Sequence, residues 1–347
     1  MSISVELAPL DSAAMAAAQE RLDRLTKPPG SLGRLEAVVV QLAGITGSAA
    51  PRIDRPAVVV FAADHGVTAQ GVSAYPGSVT GQMVANFEGG GAAINVLARA
   101  AGAKLVVVDV GVAGSEPAAA SRIRAGTRDM TVEPAMTRDE ALAAIGIGRD
   151  VVGGLVGDGC DLVALGEMGI GNTTAASALV AALTGRAVAE VTGRGTGLDD
   201  EAVRHKVAVI EAALKRHRPR RDDPLGALAA VGGLEIAALV GAMLAAAEAH
   251  IPVVLDGFIT GAAALVAAGI APTLGPRLIA SHRSAEPGHR VVLEQLRLEP
   301  LLDLDLRLGE GSGAALALPL LRASTLMLAE MATFETARVS GPRAENG

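Results

Sequence analysis

Three glycine-rich segments carry the residue types that do chemistry. The first, DLVALGEMGIGNTTAASAL over residues 161–179, runs a β-branched stretch into glycines and then into Asn172, Thr173 and Thr174. Glycines let backbone N–H groups converge on an anion, and a helix opening there adds partial positive charge. The segment has neither the GK[ST] of a Walker loop nor a strict GxGxxG. It reads as a phosphate cradle or as a tight strand-to-helix connection. The second, GRGTGLDD over 193–200, is followed by Lys206 about two helical turns after Asp199. Lysine is scarce here, with only Lys27, Lys104, Lys206 and Lys215 present. A compact point charge suits a phosphate, although a surface lysine on a helix fits as well. The third, LRLGEGSGAALALPLL over 306–321, places Glu310 between two glycines and ahead of an almost uncharged helix. A carboxylate in apolar surroundings has its pKa raised towards neutrality, as a general base or acid requires. A helix-capping Glu on a surface turn is the alternative. Glu167, inside the first segment, carries the same two readings.

Other chemistries find less support. His65, His282 and His289 fall near expected strand ends, but no HExxH or HxH pair occurs, and Cys160 is the only cysteine. Asp64, His65 and Asp256 suffice for an oxygen-rich metal site, or serve as hydrogen-bonding groups behind a ligand. No GxSxG elbow is present. One cysteine excludes an intrachain disulfide and fits a reducing compartment. The chain has 347 residues, a net charge of −7, one Tyr, four Phe and no Trp. A single-stranded nucleic-acid platform needs aromatic faces in a basic groove, so no nucleic-acid partner is expected. The basic run KRHRPRRDDP over 215–224 reads as a phosphate or nucleic-acid patch or as a solvated interhelical loop, the acidic balance favouring the loop.

These residues need elements to hold them. Short apolar β-branched runs recur at Ala57–Ala63, Lys104–Val110, Asp161–Leu165, Pro252–Leu255 and Arg277–Ala280, each ending in small or polar residues. Runs without polar alternation, separated by alanine-rich helical sequence, read as parallel strands buried on both faces. The fold class is therefore α/β, with a doubly wound, mostly parallel sheet. Ligands in such sheets bind beyond the carboxyl ends of the strands, where the polar residues above fall. Residues 12–25 read as an amphipathic helix capped by Asp11 or Ser12 and broken by KPPG at 27–30. Residues 314–336 read as helix, and the tail from Gly341 is expected to fray. A small helical lobe built from both ends, residues 1–45 and 306–347, would flank an α/β domain over 46–305. The uncharged run from Gly257 to Pro276 reaches spanning length, but its glycines, alanines and Pro272 favour a buried α/β segment. The first 25 residues show no secretory signal, so no membrane partner and a cytoplasmic location are expected.

Seven blocks, KPPGSLGRLE (27–36), FAADHGV (61–67), GQMVANFEGGGAAINVLA (81–98), GEMGIGNTTAASAL (166–179), GRGTGLDD (193–200), LDGFITGAAAL (255–265) and LRLGEGSGA (306–314), together resemble the nicotinate-nucleotide:dimethylbenzimidazole phosphoribosyltransferase family. They run in order through nearly the whole chain. The resemblance implies transfer of a phosphoribosyl group from nicotinate mononucleotide to 5,6-dimethylbenzimidazole, giving α-ribazole 5′-phosphate, the lower-ligand nucleotide of cobalamin, with inversion at C1′. It implies a homodimer and no cofactor. It assigns Glu310 as catalytic base, Gly171, Asn172 and Thr173 as the phosphate segment with Lys206 beside them, and Glu167 and Gln82 towards the base pocket. No diphosphate leaves, so no metal is required. VVVDVGVAG (106–114) accordingly lacks the paired acidic residues of a magnesium–diphosphate site. A nucleotide hydrolase on the same scaffold, a non-catalytic binding relative and a metal phosphatase built on Asp64, His65 and Asp256 are the competing readings.

Overall fold

The computed structural model describes residues 5–114 and 121–340. The tail from Gly341 lies outside the described residues. Five strands form one sheet: β1 (Pro56–Ala63), β2 (Lys104–Gly111), β3 (Leu162–Met168), β4 (Val253–Leu255) and β5 (Leu278–Ala280). Their order is β2-β1-β3-β4-β5, and every pairing is parallel. Each expected strand is present within a few residues of its anticipated ends.

Both faces of this sheet are covered, which is why its strands show no polar alternation. Along β1, Ala57, Val59, Phe61 and Ala63 enter one core cluster, while Val58 and Val60 enter the cluster on the other face. Phe61 is fully buried, and removing such a ring from water contributes roughly 2–3 kcal/mol. Helix Leu234–Glu248 lies almost wholly inside the first cluster, and helix Ser312–Glu330 covers the second through Ala314, Leu318 and Leu321.

The strand order reverses direction between β1 and β3. Open α/β sheets bind ligands at such a switch point, beyond the carboxyl ends of the strands. β3 runs further than the sequence suggested. Leu165 was its expected end, but Phe61 pairs with Glu167 and Ala62 with Met168. The β1 ladder therefore carries Glu167 on a strand rather than in a turn.

The chain ends pack together. Ala14, Ala18 and Leu22 of helix Ser12–Arg24 meet Val39 and Ala43 of helix Arg34–Thr46 and Leu328 of helix Ser312–Glu330. Asp11 starts the first helix by accepting from the Ala14 N–H at 2.9 Å. After the KPPG break, buried Lys27 and Glu36 pair at 2.9 Å. The C-terminal helix stops at Glu330, and a separate turn, Phe334–Ala337, begins when Thr333 caps Thr336. The expected continuous helix over 314–336 is thus two pieces, because the Thr333 hydroxyl offers the backbone a new start.

The structure places two further segments that the sequence left open. The apolar run from Gly257 contains helix Phe258–Ile270, 13 residues long, with all but its last turn inside the core. Among the described residues, Ser312–Glu330 alone is long and apolar enough to cross a membrane by length and composition. The basic run over 215–224 ends one helix, crosses an exposed loop and begins the next. Its Arg220 and Asp222 pair with each other.

Candidate active site

A cavity of about 690 Å³ opens at the carboxyl ends of β3 and β4, lined by Glu167, Asn172, Thr173, Gly195, Asp256 and Glu310 among others. Its polar groups come from loops that the sequence holds far apart. Backbone contacts bring them together.

Glu310 follows Gly309 and precedes Gly311, and all three have positive φ, at 85°, 64° and 83° in the order 309, 310, 311. Two glycines tolerate that conformation freely, whereas a side chain costs about 1 kcal/mol there. The turn is forced by its neighbours. The Glu310 N–H donates to the Glu167 carbonyl at 3.1 Å. A Cβ on Gly166 would stand 2.3 Å from the Gly311 nitrogen, so the turn lies directly on the β3 backbone. Asp256, at the end of β4, accepts from the N–H groups of Gly311, Gly313 and Ala314 at 3.1, 2.7 and 3.2 Å. That carboxylate caps helix Ser312–Glu330 from across the sheet, satisfying donors that no local side chain reaches.

The carboxyl groups are strongly desolvated. Burial raises the pKa of Glu310 against the opposing N–H of Ile94, and its Oε2 has no hydrogen-bond partner. Burial also lifts Glu167 well above the usual carboxylate range, helped by the charges of Asp256 and Glu235. Asp256 is pushed up to about 7 by burial, although its three backbone donors pull the other way. A desolvated carboxyl group with one free oxygen at a cavity has the environment that shifts pKa values at functional sites.

Of the expected phosphate residues, only Thr173 and Lys206 pair with each other. Gly171 caps helix Asn172–Thr184 in the left-handed region. Asn172 then turns its amide N–H onto Glu167, whereas Thr173 accepts from Lys206 Nζ at 2.7 Å. Lys206 is fully buried, and burial lowers its pKa to about 8 while Glu286 opposes the fall. The second glycine turn joins this pair: a Cβ on Gly195 would stand 2.9 Å from Thr173 Oγ1 and 3.3 Å from Lys206 Nζ. Lys206 thus stands behind Thr173 instead of on the cavity wall. Gln82 lies apart. Helix Val79–Glu88 gives Val79 and Met83 to the cavity, and Gln82 flanks that stripe in solvent.

Sequence reasoning missed Glu286, which lines the cavity and accepts from the Gly195 N–H at 2.8 Å. It also missed Asp256 as a helix cap. Asp64, His65 and Asp256, grouped above as a metal site, have separate engagements. Asp64 accepts from the Ala113 N–H at 2.8 Å, His65 pairs with Glu235 at 2.7 Å, and Asp256 caps its helix.

A cavity at the carboxyl ends of parallel strands, lined by desolvated carboxyl groups and by a threonine hydroxyl that a buried lysine backs, has the form of an enzyme site for a small polar substrate. A family model described as phosphoribosyltransferase matches residues 7–339. The chain belongs to the nicotinate-nucleotide–dimethylbenzimidazole phosphoribosyltransferase family. It is 57% identical over 339 residues to the protein of that name from Roseiflexus sp. (strain RS-1), covering 96% of each chain. It is 58% identical over 338 residues to that from Chloroflexus aggregans, again covering 96% of each. The crystal structure of the enzyme from Thermus thermophilus superposes with a TM-score of 0.91 at 50% identity, covering 96% of this chain and 100% of that one.

Proposed function

We propose that the protein transfers the phosphoribosyl group of nicotinate mononucleotide to 5,6-dimethylbenzimidazole, releasing nicotinate and forming α-ribazole 5′-phosphate for the lower ligand of cobalamin. The observation that carries the mechanism is Glu310, buried, lacking a partner on Oε2 and facing the same cavity as Thr173.

Nicotinate departs from a pyridinium, so the C1′–N bond breaks with its electron pair returning to the ring nitrogen and neutralising it. C1′ gains oxocarbenium character, and one azole nitrogen enters from the opposite face. The β donor thereby becomes an α product by inversion. As the new C1′–N bond forms, the azole's other N–H turns acidic and its proton passes to the Glu310 carboxylate. General-base help of this kind contributes typically about 10²–10⁴-fold. Holding the flat base against the sugar contributes through orientation, and the apolar side chains Val79, Met83 and Leu308 offer the surface for it.

The phosphate of the donor is read at Gly171, Thr173 and the Gly195 turn, with Lys206 supplying charge through the Thr173 hydroxyl. Asn172 and Glu167 belong to the base side of the cavity. Nothing in this reaction calls for a metal, because no diphosphate departs. A homodimer is part of the same reading, supported by Tyr75 and Leu308 standing 54% and 56% exposed at the cavity. A reducing cytoplasm suits the free Cys160.

The test is product analysis with purified protein, nicotinate mononucleotide and dimethylbenzimidazole in the presence of EDTA. Azole-dependent nicotinate release with α-ribazole phosphate appearing is the expected result. Nicotinate release without the azole would instead establish a hydrolase.

A further inference from the structure

The mechanism above makes no use of the most deeply buried ion pair in the neighbourhood. His65 follows β1, and its Nε2 lies 2.7 Å from Glu235 Oε1, with side chains only 1% and 0% exposed. Neither residue lines the cavity. Burial on its own would lower the histidine pKa, but Glu235 and then Asp64 outweigh it and raise it. A buried pair of this kind is a poor source of stability compared with apolar packing of the same volume. Its place in the fold suggests another use.

The strand-to-helix turn that opens helix Asn172–Thr184 rests on this ring. A Cβ on Gly169 would stand 3.3 Å from His65 Nε2 and Cδ2, and one on Gly171 would stand 3.4 Å from His65 Cβ. On the far side, a Cβ on Gly233 would stand 2.5 Å from His65 Cε1 and 2.5 Å from Glu235 Oε2. The carbonyl of His65 also accepts from the Thr68 hydroxyl at 2.8 Å, and Thr68 Cγ2 would meet a Cβ on Gly171 at 2.8 Å. The imidazole is therefore clamped between the turn and the first residues of helix Leu234–Glu248.

We propose that the His65–Glu235 pair is a positioning device for the anion turn, setting where Gly171 and Thr173 meet the phosphate of the donor. It takes no part in proton transfer to Glu310. The inference rests on the phosphate reading of that turn given above.

The test compares nicotinate mononucleotide with its riboside, which lacks only the phosphate, as donors for Glu235→Gln and His65→Gln. Both variants keep the size of the original side chain, and circular dichroism with a melting curve verifies folding. The preference for nucleotide over riboside should fall about tenfold, the worth of roughly one hydrogen bond to a charged group. Turnover of the riboside and the KM for dimethylbenzimidazole should stay within about twofold. A merely structural role would weaken both donors equally and leave the preference intact, which would overturn the proposal. Lys206→Ala measured alongside separates the causes. If it abolishes the preference while the two pair variants do not, the positioning role fails and the phosphate reading stands. If Lys206→Ala leaves the preference unchanged too, the phosphate reading itself has failed, and the proposal with it.

Discussion

Glu310 and Glu167 are joined through the main chain: the N–H of the first donates to the carbonyl of the second at 3.1 Å. A turn near the C-terminus is thereby registered against the end of a central strand. The two carboxyl groups reach one cavity without a side-chain contact between them having to form. Glu310 is placed by backbone, so its side chain can change chemistry while the cavity keeps its shape.

Glu310→Gln should accordingly bind donor as before while turnover falls at least about 10²-fold. Isothermal titration with nicotinate mononucleotide, paired with kcat, checks this. A variant with nearly normal kcat removes Glu310 as the base.

In the unaltered protein, burial raises the Glu310 pKa. For the proposed base the active form is the carboxylate, so the acidic limb of kcat/KM should lie above the ordinary carboxylate range. Activity then rises with pH through that limb. A limb near the ordinary glutamate value of about 4.3 would contradict the desolvated environment.

Lys206 gives the opposite sign at the other end of the pH scale. Its ammonium, with a pKa lowered to about 8, is lost above that pH in the free protein. Donor affinity should decline there, with proton uptake on binding that is detectable by titration in buffers of different ionisation enthalpy. In stability terms the folded pKa lies below the unfolded one, so the unfolded chain binds more protons between about 8 and 10.5. The buried ammonium costs on the order of 3 kcal/mol below that window, and the cost is recovered as pH rises through it. Lys206→Arg should carry the fall in donor affinity beyond about pH 10.

Thr173→Val removes the hydroxyl that accepts from Lys206 at 2.7 Å. Donor KM should rise about tenfold with the acceptor KM unchanged, as expected for one charge-assisted hydrogen bond. An effect confined to the acceptor would place Thr173 on the base side.

Gly166→Ala puts a methyl group 2.3 Å from the Gly311 nitrogen, where only backbone can yield. The strand and the 309–311 turn must separate, so urea denaturation should show a loss of about 1–3 kcal/mol. Turnover should fall with it. Unchanged stability and rate would mean that the two segments are less tightly joined than described.

The strands were legible because burial on both faces writes long apolar runs, and Val58 through Phe61 shows this directly. Asp11 was legible as a cap because its partner, Ala14, is three residues away. The site was legible only in pieces. Glycine turns flagged Glu310 and Thr173, but Asp256 caps a helix that starts 56 residues later, by way of Gly311, Gly313 and Ala314. Glu235 meets His65 across 170 residues. Such partners leave no local pattern, since spacing along the chain carries information only where the contact is local. Gln82 shows the converse: its block was recognisable, but which face of its helix meets the cavity depends on how that helix sits on the sheet.

The left-handed conformation at position 310 sets robustness against activity. Every property that makes Glu310 useful there, its backbone angle, its burial and its bare oxygen, lowers the stability of the native state. Glu310→Gly would relieve the backbone angle and the desolvated charge together, a gain of about 1 kcal/mol or more. The same exchange removes the proposed base. Catalysis and robustness therefore pull this one position in opposite directions: the variant without the carboxylate should be the sturdier protein and the inactive one.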